Sequence, residues 1–373
     1  MNVGLFIKDF AAGKKFDKNG LPIKSGAEFH GENHALQLIK RGHHVAIMAK
    51  KRYWFTKARE TIKGIDLVRL HAPFRGLEIL VRLCTTHRHI DVIYILGISK
   101  FSVWAILYAR FMKKRVIMSL TGTFEVFKGD ADWRTKIFTR CSHYIAISNE
   151  IKDGLIKEGG ISKDKITVLG QGIDTQKYAL GGDKRTLRRK YNFPQDVLIV
   201  LFCARIVARK GIDILQAVWP KIHENFPAAK LVLVGGGENK LVEELKTLSD
   251  RLDKSILIVG EVDNPAEYYQ LADIYFFPSK QEGLPTTLME AMACGLPSVV
   301  SDIGGCSDLI ADGQTGYRVA SSDSEGFERK LCELLENPAQ REIMGNNAAR
   351  FVREHCDYDT VITELEKILG GEI

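Results

Sequence analysis

The sequence predicts an α/β protein made of two doubly wound parallel-sheet domains in tandem. The chain has 373 residues, enough for two domains of ordinary size. Short apolar runs rich in Val and Ile recur along it, and runs with apolar residues at helical spacing lie between them. Strands that are apolar throughout and alternate with helices indicate a parallel sheet covered by helices on both faces.

The first half begins with MNVGLFIKDF, which is predicted as the first strand. Six further strands are predicted at HVAIMAK (44–50), IDLVRL (65–70), DVIYILGI (91–98), RVIMSL (115–120), HYIAIS (143–148) and KITVLG (165–170). The two predicted helices are ENHALQLIKRG, which Gly42 ends, and FSVWAILYARFMKK.

The second half repeats this alternation. Strands are predicted at residues 197–206, 229–237, 255–262, 273–279 and 297–302, and helices at WPKIHENFP, NKLVEELKTLSDRL, TTLMEAMACG and 324–335. The glycine-rich polar segment 170–184 is predicted as the hinge. It separates an N-terminal domain, 1–172, from a C-terminal domain, 173–355, and residues 356–373 are expected to form a helix that packs back on the N-terminal domain.

Features that direct a chain to a membrane or a secretory route are not evident in the sequence. The first residues have no charged start followed by a long apolar core, so no signal peptide is expected. The most apolar stretch, 92–109, is interrupted by Lys100 and is too short for a spanning helix. Seven cysteines are scattered singly without a CxxC pair, which indicates reduced thiols in a cytoplasm and no zinc site.

Charge is distributed unevenly between the two halves. Residues 1–170 contain 30 Lys and Arg against 15 Asp and Glu, a balance of +15, and residues 171–373 contain 23 against 31, a balance of −8, which together give the total of +7. This asymmetry favours contact of the first half with an anionic membrane surface, a phosphorylated substrate or a nucleic acid. No nucleic-acid-binding module is recognisable, and an ordinary solvated basic surface remains the alternative.

The segment PSKQEGLPTTLMEAMACGLP (278–297) carries two carboxylates, Glu282 and Glu290. Pro285 suits the first turn of a helix predicted over 286–294, so Glu282 lies in the loop before the helix and Glu290 one turn inside it. The N–H groups at the start of that helix are suited to an anion. A group with hydroxyls at both ends and phosphates in the middle, such as a nucleotide sugar, fits this arrangement.

A second cluster of charge follows an earlier strand of the same half. FCARIVARKG places Arg205 and Lys210 after the strand and before a helix that opens at Gly211. Two cations at such a point can neutralise a pyrophosphate, and Lys210 can stabilise charge on a departing nucleoside diphosphate. Two glycine turns, Ser25–Gly26 before the first helix and LVGGGEN (233–239), are weaker phosphate-binding signals.

Together these motifs resemble the retaining glycosyltransferases of family 4, which have the GT-B fold of two Rossmann-like domains facing across a cleft. The matching segments are the Arg205-x4-Lys210 spacing, the E-x7-E motif from Glu282 to Glu290, SDIGGCSDLIADGQTGYRV, GQGIDTQKY and SGAEFHGENHALQLIKRGHHV. The resemblance implies that Glu282 contacts the donor sugar, that Glu290 binds the ribose hydroxyls, and that Arg205 and Lys210 hold the pyrophosphate in a catalytic role. It further implies donor contacts at Gly26, Val262, Leu284, Pro285, Thr286 and Thr287.

One departure from the family pattern concerns the sugar side of the site. Many relatives have a His-Gly pair after the strand 115–120, whereas this chain has Thr121 and Gly122. Threonine can hydrogen-bond but cannot act as a histidine-like acid or base. Ser25, Thr121 and Gly122 are therefore named only as candidates for the acceptor and sugar side. The pair His30 and His34 lacks an evident third ligand, so no metal site is expected there.

The function expected from the resemblance is a metal-independent retaining glycosyltransferase without a cofactor, a hexosyltransferase or an N-acetylhexosaminyltransferase. Its donor would be a UDP-sugar rather than a GDP-sugar, and its acceptor a lipid-linked glycan of a bacterial capsule or lipopolysaccharide. A cytoplasmic location with peripheral contact at the inner face of the membrane is expected. A soluble small-molecule acceptor, a sugar-nucleotide epimerase and a non-catalytic sugar-nucleotide binding protein remain alternatives.

Overall fold

A computed structural model describes residues 1–10, 26–50, 57–71, 74–99, 101–121 and 133–372 of the chain. The chain divides into two compact units. Unit 1 comprises Met1–Gln171 with Val361–Ile373, and unit 2 comprises Gly172–Thr360. None of the helices in the described ranges is long and apolar enough to cross a membrane.

Unit 1 is built on a sheet of eight strands in the order β3-β4-β2-β1-β5-β6-β7-β8. All neighbouring strands are parallel except β3 and β4, which are antiparallel. The strands are β1 Asn2–Asp9, β2 His44–Lys50, β3 Arg59–Ile62, β4 Ile65–Leu70, β5 Val92–Leu96, β6 Arg115–Leu120, β7 His143–Ala146 and β8 Ile166–Val168. The helices are α1 Gly26–Lys40, α2 Arg75–Cys84, α3 Ser102–Phe111, α4 Trp133–Phe138 and α5 Asn149–Lys157.

Unit 2 is built on a sheet of six parallel strands in the order β11-β10-β9-β12-β13-β14. The strands are β9 Ile199–Cys203, β10 Lys230–Val234, β11 Ile256–Gly260, β12 Ile274–Phe277, β13 Ser298–Ser301 and β14 Gly316–Val319. The helices are α6 Lys184–Lys190, α7 Ile212–Asn225, α8 Asn239–Arg251, α9 Ala266–Leu271, α10 Thr286–Ala293, α11 Gly304–Leu309, α12 Ser324–Glu336 and α13 Pro338–His355.

The final helix, α14 Tyr358–Gly370, contributes apolar side chains to unit 1. Ile362, Leu365 and Leu369 are fully buried in the same core cluster as residues of β1 and β2. At the helix surface, Glu366 accepts hydrogen bonds of 2.6 Å from both Arg41 and His43. The end of the chain is therefore part of the first unit.

The two α/β units with parallel sheets confirm the predicted fold class. Every strand predicted in the second half is present and is shorter than predicted at both ends. Nine of the elements in the described residues were not predicted, namely β3, β14, α2, α4, α5, α6, α9, α11 and α13. The predicted helix at WPKIHENFP is wrong in extent, since it is only the second half of α7.

Candidate active site

The strand order of unit 2 reverses between β9 and β12. From β9 the chain passes outward to β10 and β11, and it then returns to β12 on the other side of β9. In open parallel sheets, ligands bind beyond the carboxyl ends of the strands at such a switch point. Arg205 and Lys210 follow β9, and Glu282 follows β12, so the fold brings the two predicted charge clusters to one place.

Close packing fixes the loops after these two strands. Gly211 has φ +74°, and a Cβ at that position would lie 1.7 Å from the carbonyl oxygen of Pro278. The N–H of Lys280 donates to the carbonyl of Arg209 at 2.9 Å, and the Ser279 hydroxyl oxygen lies 3.2 Å from the same carbonyl oxygen. Only glycine fits between the loops, and these contacts fix their relative position.

Lys210 and Glu282 form an ion pair at the switch point. The Lys210 Nζ lies 2.5 Å from Glu282 Oε1, and only about a tenth of each side chain is exposed. The Ser279 hydroxyl donates to the same carboxylate oxygen at 2.6 Å. The Lys210 Nζ also lies 4.8 Å from the centroid of the Phe277 ring. Both charges are thus held by several contacts in a largely water-excluded place.

The electrostatics of Lys210 reflect two opposing influences. Burial lowers the pKa of the Lys210 ammonium below its ordinary value, and the negative charge of Glu282 raises that pKa in part. An ammonium group has three donors and no acceptor. Lys210 can therefore bind a phosphate oxygen while it keeps its hydrogen bond to Glu282.

Glu290 lies on α10 and is buried among aromatic residues. The Tyr269 hydroxyl donates to Glu290 Oε2 at 2.9 Å. Burial raises the pKa of the Glu290 carboxyl from 4.5 to about 6, while hydrogen bonds from Tyr269 and Tyr178 act in the opposite direction. At neutral pH the carboxylate is therefore mainly ionised and can accept further hydrogen bonds from hydroxyl groups.

The other candidate residues of unit 2 surround these groups. Leu284 and Pro285 lie in the loop directly before α10, and Thr286 and Thr287 form its first turn. The Tyr275 hydroxyl donates to Thr287 Oγ1 at 3.0 Å. Arg205 is exposed in the loop after β9, and Val262 lies just after β11 and packs partly on the core.

The glycine turn LVGGGEN packs beside the Arg205 loop. Ile206 forms a β-bridge with Gly237, and the N–H of Ile206 donates to the carbonyl of Gly236 at 2.9 Å. The turn thereby supports the segment that carries Arg205. This contact gives the glycines a structural role, whereas the sequence had suggested a weak phosphate-binding signal.

The remaining candidates belong to unit 1. Gly26 is the first residue of α1. Thr121 follows β6 and lines a small cavity with His34 and Tyr94. Ser25 and Gly122 lie outside the described residues.

The histidine pair of α1 is buried in the interior of unit 1. His34 Nδ1 lies 3.2 Å from the Tyr94 hydroxyl, and His34 Nε2 lies 3.3 Å from the carbonyl of Gln171. Burial lowers the pKa of His34 to about 4 and that of His30 to about 3, so both rings are neutral at pH 7. Among the described residues, no group of three His, Cys, Asp or Glu side chains is arranged to hold a metal ion.

Comparison with protein families decides the affiliation of the chain. Residues 24–177 match the model of Glycosyltransferase Family 4, and residues 183–351 match that of Glycosyl transferases group 1. The two matches cover most of both units. The chain belongs to the family 4 glycosyltransferases. The resemblance drawn from the motifs is thereby confirmed.

Curated members of the family match part of the chain. The capsular polysaccharide biosynthesis glycosyltransferase CapM of Staphylococcus aureus is 27% identical over 230 residues, which are 60% of each protein. A GDP-mannose-dependent α-(1-6)-phosphatidylinositol monomannoside mannosyltransferase of Mycolicibacterium smegmatis is 28% identical over 54% of this chain and 56% of its own length. The chain thus spans less than two thirds of the length of these two relatives.

A solved structure establishes the GT-B fold over the whole length. HepE of Anabaena, in complex with UDP, superimposes with a TM-score of 0.80 at 18% identity and covers 100% of both chains. At this identity the likeness concerns the fold alone.

Several contacts of this candidate site were not found from the sequence. Ser279 holds Glu282, and Tyr178 and Tyr269 hold Glu290. Ser279 lies within the segment 278–297, three residues before Glu282, so its place near this carboxylate is visible in the sequence. Tyr178 is the last residue of the matching segment GQGIDTQKY, but its contact with Glu290 could not be read from that segment. Tyr269 gave no signal, because it meets Glu290 only through the packing of unit 2.

Proposed function

We propose that this chain is a retaining glycosyltransferase that transfers a sugar from a UDP-sugar to a lipid-linked glycan. The observation that supports this proposal best is the buried Lys210–Glu282 pair at the switch point of unit 2, with Glu290 on the adjoining helix. In this arrangement a cation for the diphosphate is adjacent to a carboxylate for the sugar, and a second carboxylate is suited to the ribose.

Each residue has a defined role in the proposed donor complex. Arg205 and Lys210 bind the diphosphate, and the first turn of α10 presents N–H groups to it. Glu282 accepts hydrogen bonds from the sugar hydroxyls, and Glu290 accepts them from the ribose. Leu284, Pro285 and Thr286 line the path between them, and the Val262 loop lies near the base.

The reaction breaks the bond between the anomeric carbon and the diphosphate oxygen. An acceptor hydroxyl attacks from the same face, and its proton passes to the leaving phosphate oxygen, so the anomeric configuration is retained. Lys210 and Arg205 stabilise the negative charge that grows on the departing nucleoside diphosphate. Because these cations supply that stabilisation, we propose a reaction without a metal ion or a cofactor.

The choices of donor and acceptor draw support from related proteins. The HepE structure contains UDP, and a further structure of the same protein contains UDP-glucose. CapM is named for capsular polysaccharide biosynthesis, and the mycobacterial relative for a phosphatidylinositol mannoside. We propose a related envelope glycan as acceptor, reached at the inner face of an anionic membrane through the basic first half of the chain.

The test begins with thermal-shift screening of the purified chain against a panel of UDP-sugars and GDP-sugars. A ligand that binds the folded state raises the melting temperature by mass action. A UDP-sugar that raises it should then be hydrolysed slowly without acceptor, and transferred with retained configuration, read by NMR, when a lipid-linked glycan is added. A response to GDP-sugars alone would replace the donor proposed here, and no response to any nucleotide sugar would contradict donor binding.

A further inference from the structure

Large apolar side chains are exposed on two neighbouring helices of unit 1. Ten large apolar residues are exposed among the described residues, and seven of them belong to α2, α3 and the residues that flank these helices. The seven are Phe74, Leu77, Val81, Trp104, Leu107, Phe111 and Met112, called here the α2–α3 patch. Phe111 is 85% exposed and Phe74 is 71% exposed. An apolar surface of this kind marks an interaction site.

The spacing within each helix places these side chains on one face. Phe74, Leu77 and Val81 are three and four residues apart, and Ile79 and Leu83 of the same helix are fully buried. On α3, Trp104, Leu107 and Phe111 follow the same pattern. The exposed apolar residues therefore form two stripes, one along each helix.

Close packing of the helices joins the two stripes. A Cβ at Gly76 of α2 would lie 2.2 Å from Nε1 of Trp104, so the indole ring of α3 rests against the backbone of α2. The Tyr108 hydroxyl of α3 also donates to the carbonyl of Leu83 at 2.8 Å. The patch is therefore continuous across both helices, which meet at Trp104.

The segment that carries the patch is rich in positive charge. Residues 74–115 contain eight Lys and Arg against two acids, a balance of +6. Both acids already have partners, since Glu78 accepts from Arg82 at 2.8 Å and Asp91 accepts from the N–H of Asn2 at 2.8 Å. Arg110 and Lys113 are exposed at the end of α3, next to Phe111.

We infer that the α2–α3 patch is the surface by which this chain docks on an anionic lipid membrane. Aromatic and aliphatic side chains enter the boundary between headgroups and acyl chains, while Arg and Lys bind the lipid phosphates. A second copy of the chain is a poorer occupant, because two surfaces of like charge would face each other. The inference rests on the proposed function, which places the acceptor in a membrane, and it names the surface involved.

Vesicle flotation of the whole chain tests the inference. The wild type should float with phosphatidylcholine vesicles that contain phosphatidylglycerol and not with phosphatidylcholine alone. The variant with Leu77→Ser and Val81→Ser should partition at least about tenfold less, because the apolar contact is lost. Ile343→Ser, which changes a 57% exposed apolar residue of unit 2, is the matched control and should float like the wild type.

A second pair of variants distinguishes the effect of the cations next to the patch from the effect of the overall charge of unit 1. Arg110→Glu with Lys113→Glu should also weaken flotation at least about tenfold. Lys157→Glu with Lys163→Glu removes the same charge from exposed positions of unit 1 outside α2 and α3, and it should weaken flotation far less. Equal losses in the two variants, or no flotation of the wild type, would overturn the inference.

The remaining outcomes distinguish this inference from the function on which it rests. Analytical ultracentrifugation of the Leu77→Ser, Val81→Ser variant decides between a membrane and a second copy. A wild-type dimer that this variant converts to a monomer, with flotation unchanged, would assign the patch to self-association. Nucleotide-sugar binding without flotation contradicts the docking surface alone, whereas flotation without nucleotide-sugar binding contradicts the proposed function alone.

Discussion

Replacing the buried carboxyl of Glu290 should change how the stability of unit 2 depends on pH. Burial raises the pKa of Glu290 from 4.5 to about 6 in the folded chain. The folded state therefore binds this proton more tightly than the unfolded state does. For this group alone, the free energy of unfolding is highest below about pH 4.5, falls as the pH rises to about 6, and stays lower above that.

The magnitude follows from the same two values. The difference between 4.5 and about 6 corresponds to about 2 kcal/mol. In Glu290→Gln the side chain cannot ionise and can still accept the hydrogen bond from Tyr269. The difference in unfolding free energy between variant and wild type should therefore shift by about 2 kcal/mol in favour of the variant between about pH 4 and about pH 8.

Urea denaturation read through one tryptophan measures this shift. Trp219 is fully buried in unit 2, so its fluorescence reports that unit once Trp54, Trp104 and Trp133 are replaced by Phe. The exposed Glu342→Gln is the matched control and should give a constant difference. Parallel stability curves for wild type and Glu290→Gln across this pH range would refute the reasoning.

Donor binding should follow the same ionisation. If the Glu290 carboxylate accepts ribose hydroxyls, the affinity of the wild type for its nucleotide sugar should fall as the pH drops below about 6. The affinity of Glu290→Gln should be weaker at neutral pH and should depend less on pH. Calorimetric titration measures both.

Three further predictions concern the same site. Lys210→Ala should lower turnover at least about tenfold, because a charge that stabilises the leaving diphosphate is lost. Lys280→Ala, whose ion pair with Asp213 is exposed, is the control and should leave turnover near that of the wild type. Normal turnover of Lys210→Ala would contradict the proposed role of Lys210. Gly211→Ala should destabilise unit 2 by at least about 2 kcal/mol in urea denaturation, because the new Cβ meets the Pro278 carbonyl. Gly313→Ala, at φ +73° with open space around it, is the control and should destabilise the unit by only about 1 kcal/mol. Equal losses of stability in the two variants would count against the close contact at Gly211. EDTA should leave transferase activity intact, and strong inhibition that added metal reverses would contradict the metal-independent reaction.

The fold could be predicted because its signals are local. Runs such as VLIVLFC (197–203) and LVLV (231–234) are apolar throughout, so the positions of the strands follow from composition. The short β14 was not predicted, because its four residues include Arg318 and give no apolar run. The helix α13 was missed because its pattern of small and charged residues has a weak apolar stripe.

The charged residues of the site could be predicted, but their mutual contacts could not. Arg205 and Lys210 follow one strand and Glu282 follows another. Because ligand sites of parallel sheets form beyond the carboxyl ends of the strands, the sequence predicts that these residues lie close together. The direct Lys210–Glu282 pair depends on the close approach that Gly211 permits at Pro278, which only the folded chain reveals. The contact of Tyr269 with Glu290 likewise depends on the packing of α9 against α10, which no sequence motif indicates.

A crystal structure of the chain with bound UDP tests the central claim most directly. The account predicts that the diphosphate oxygens lie within hydrogen-bond distance of Arg205 and Lys210, and that the ribose hydroxyls donate to Glu290. A UDP molecule bound in unit 1, or bound in unit 2 with its ribose away from Glu290, would contradict it.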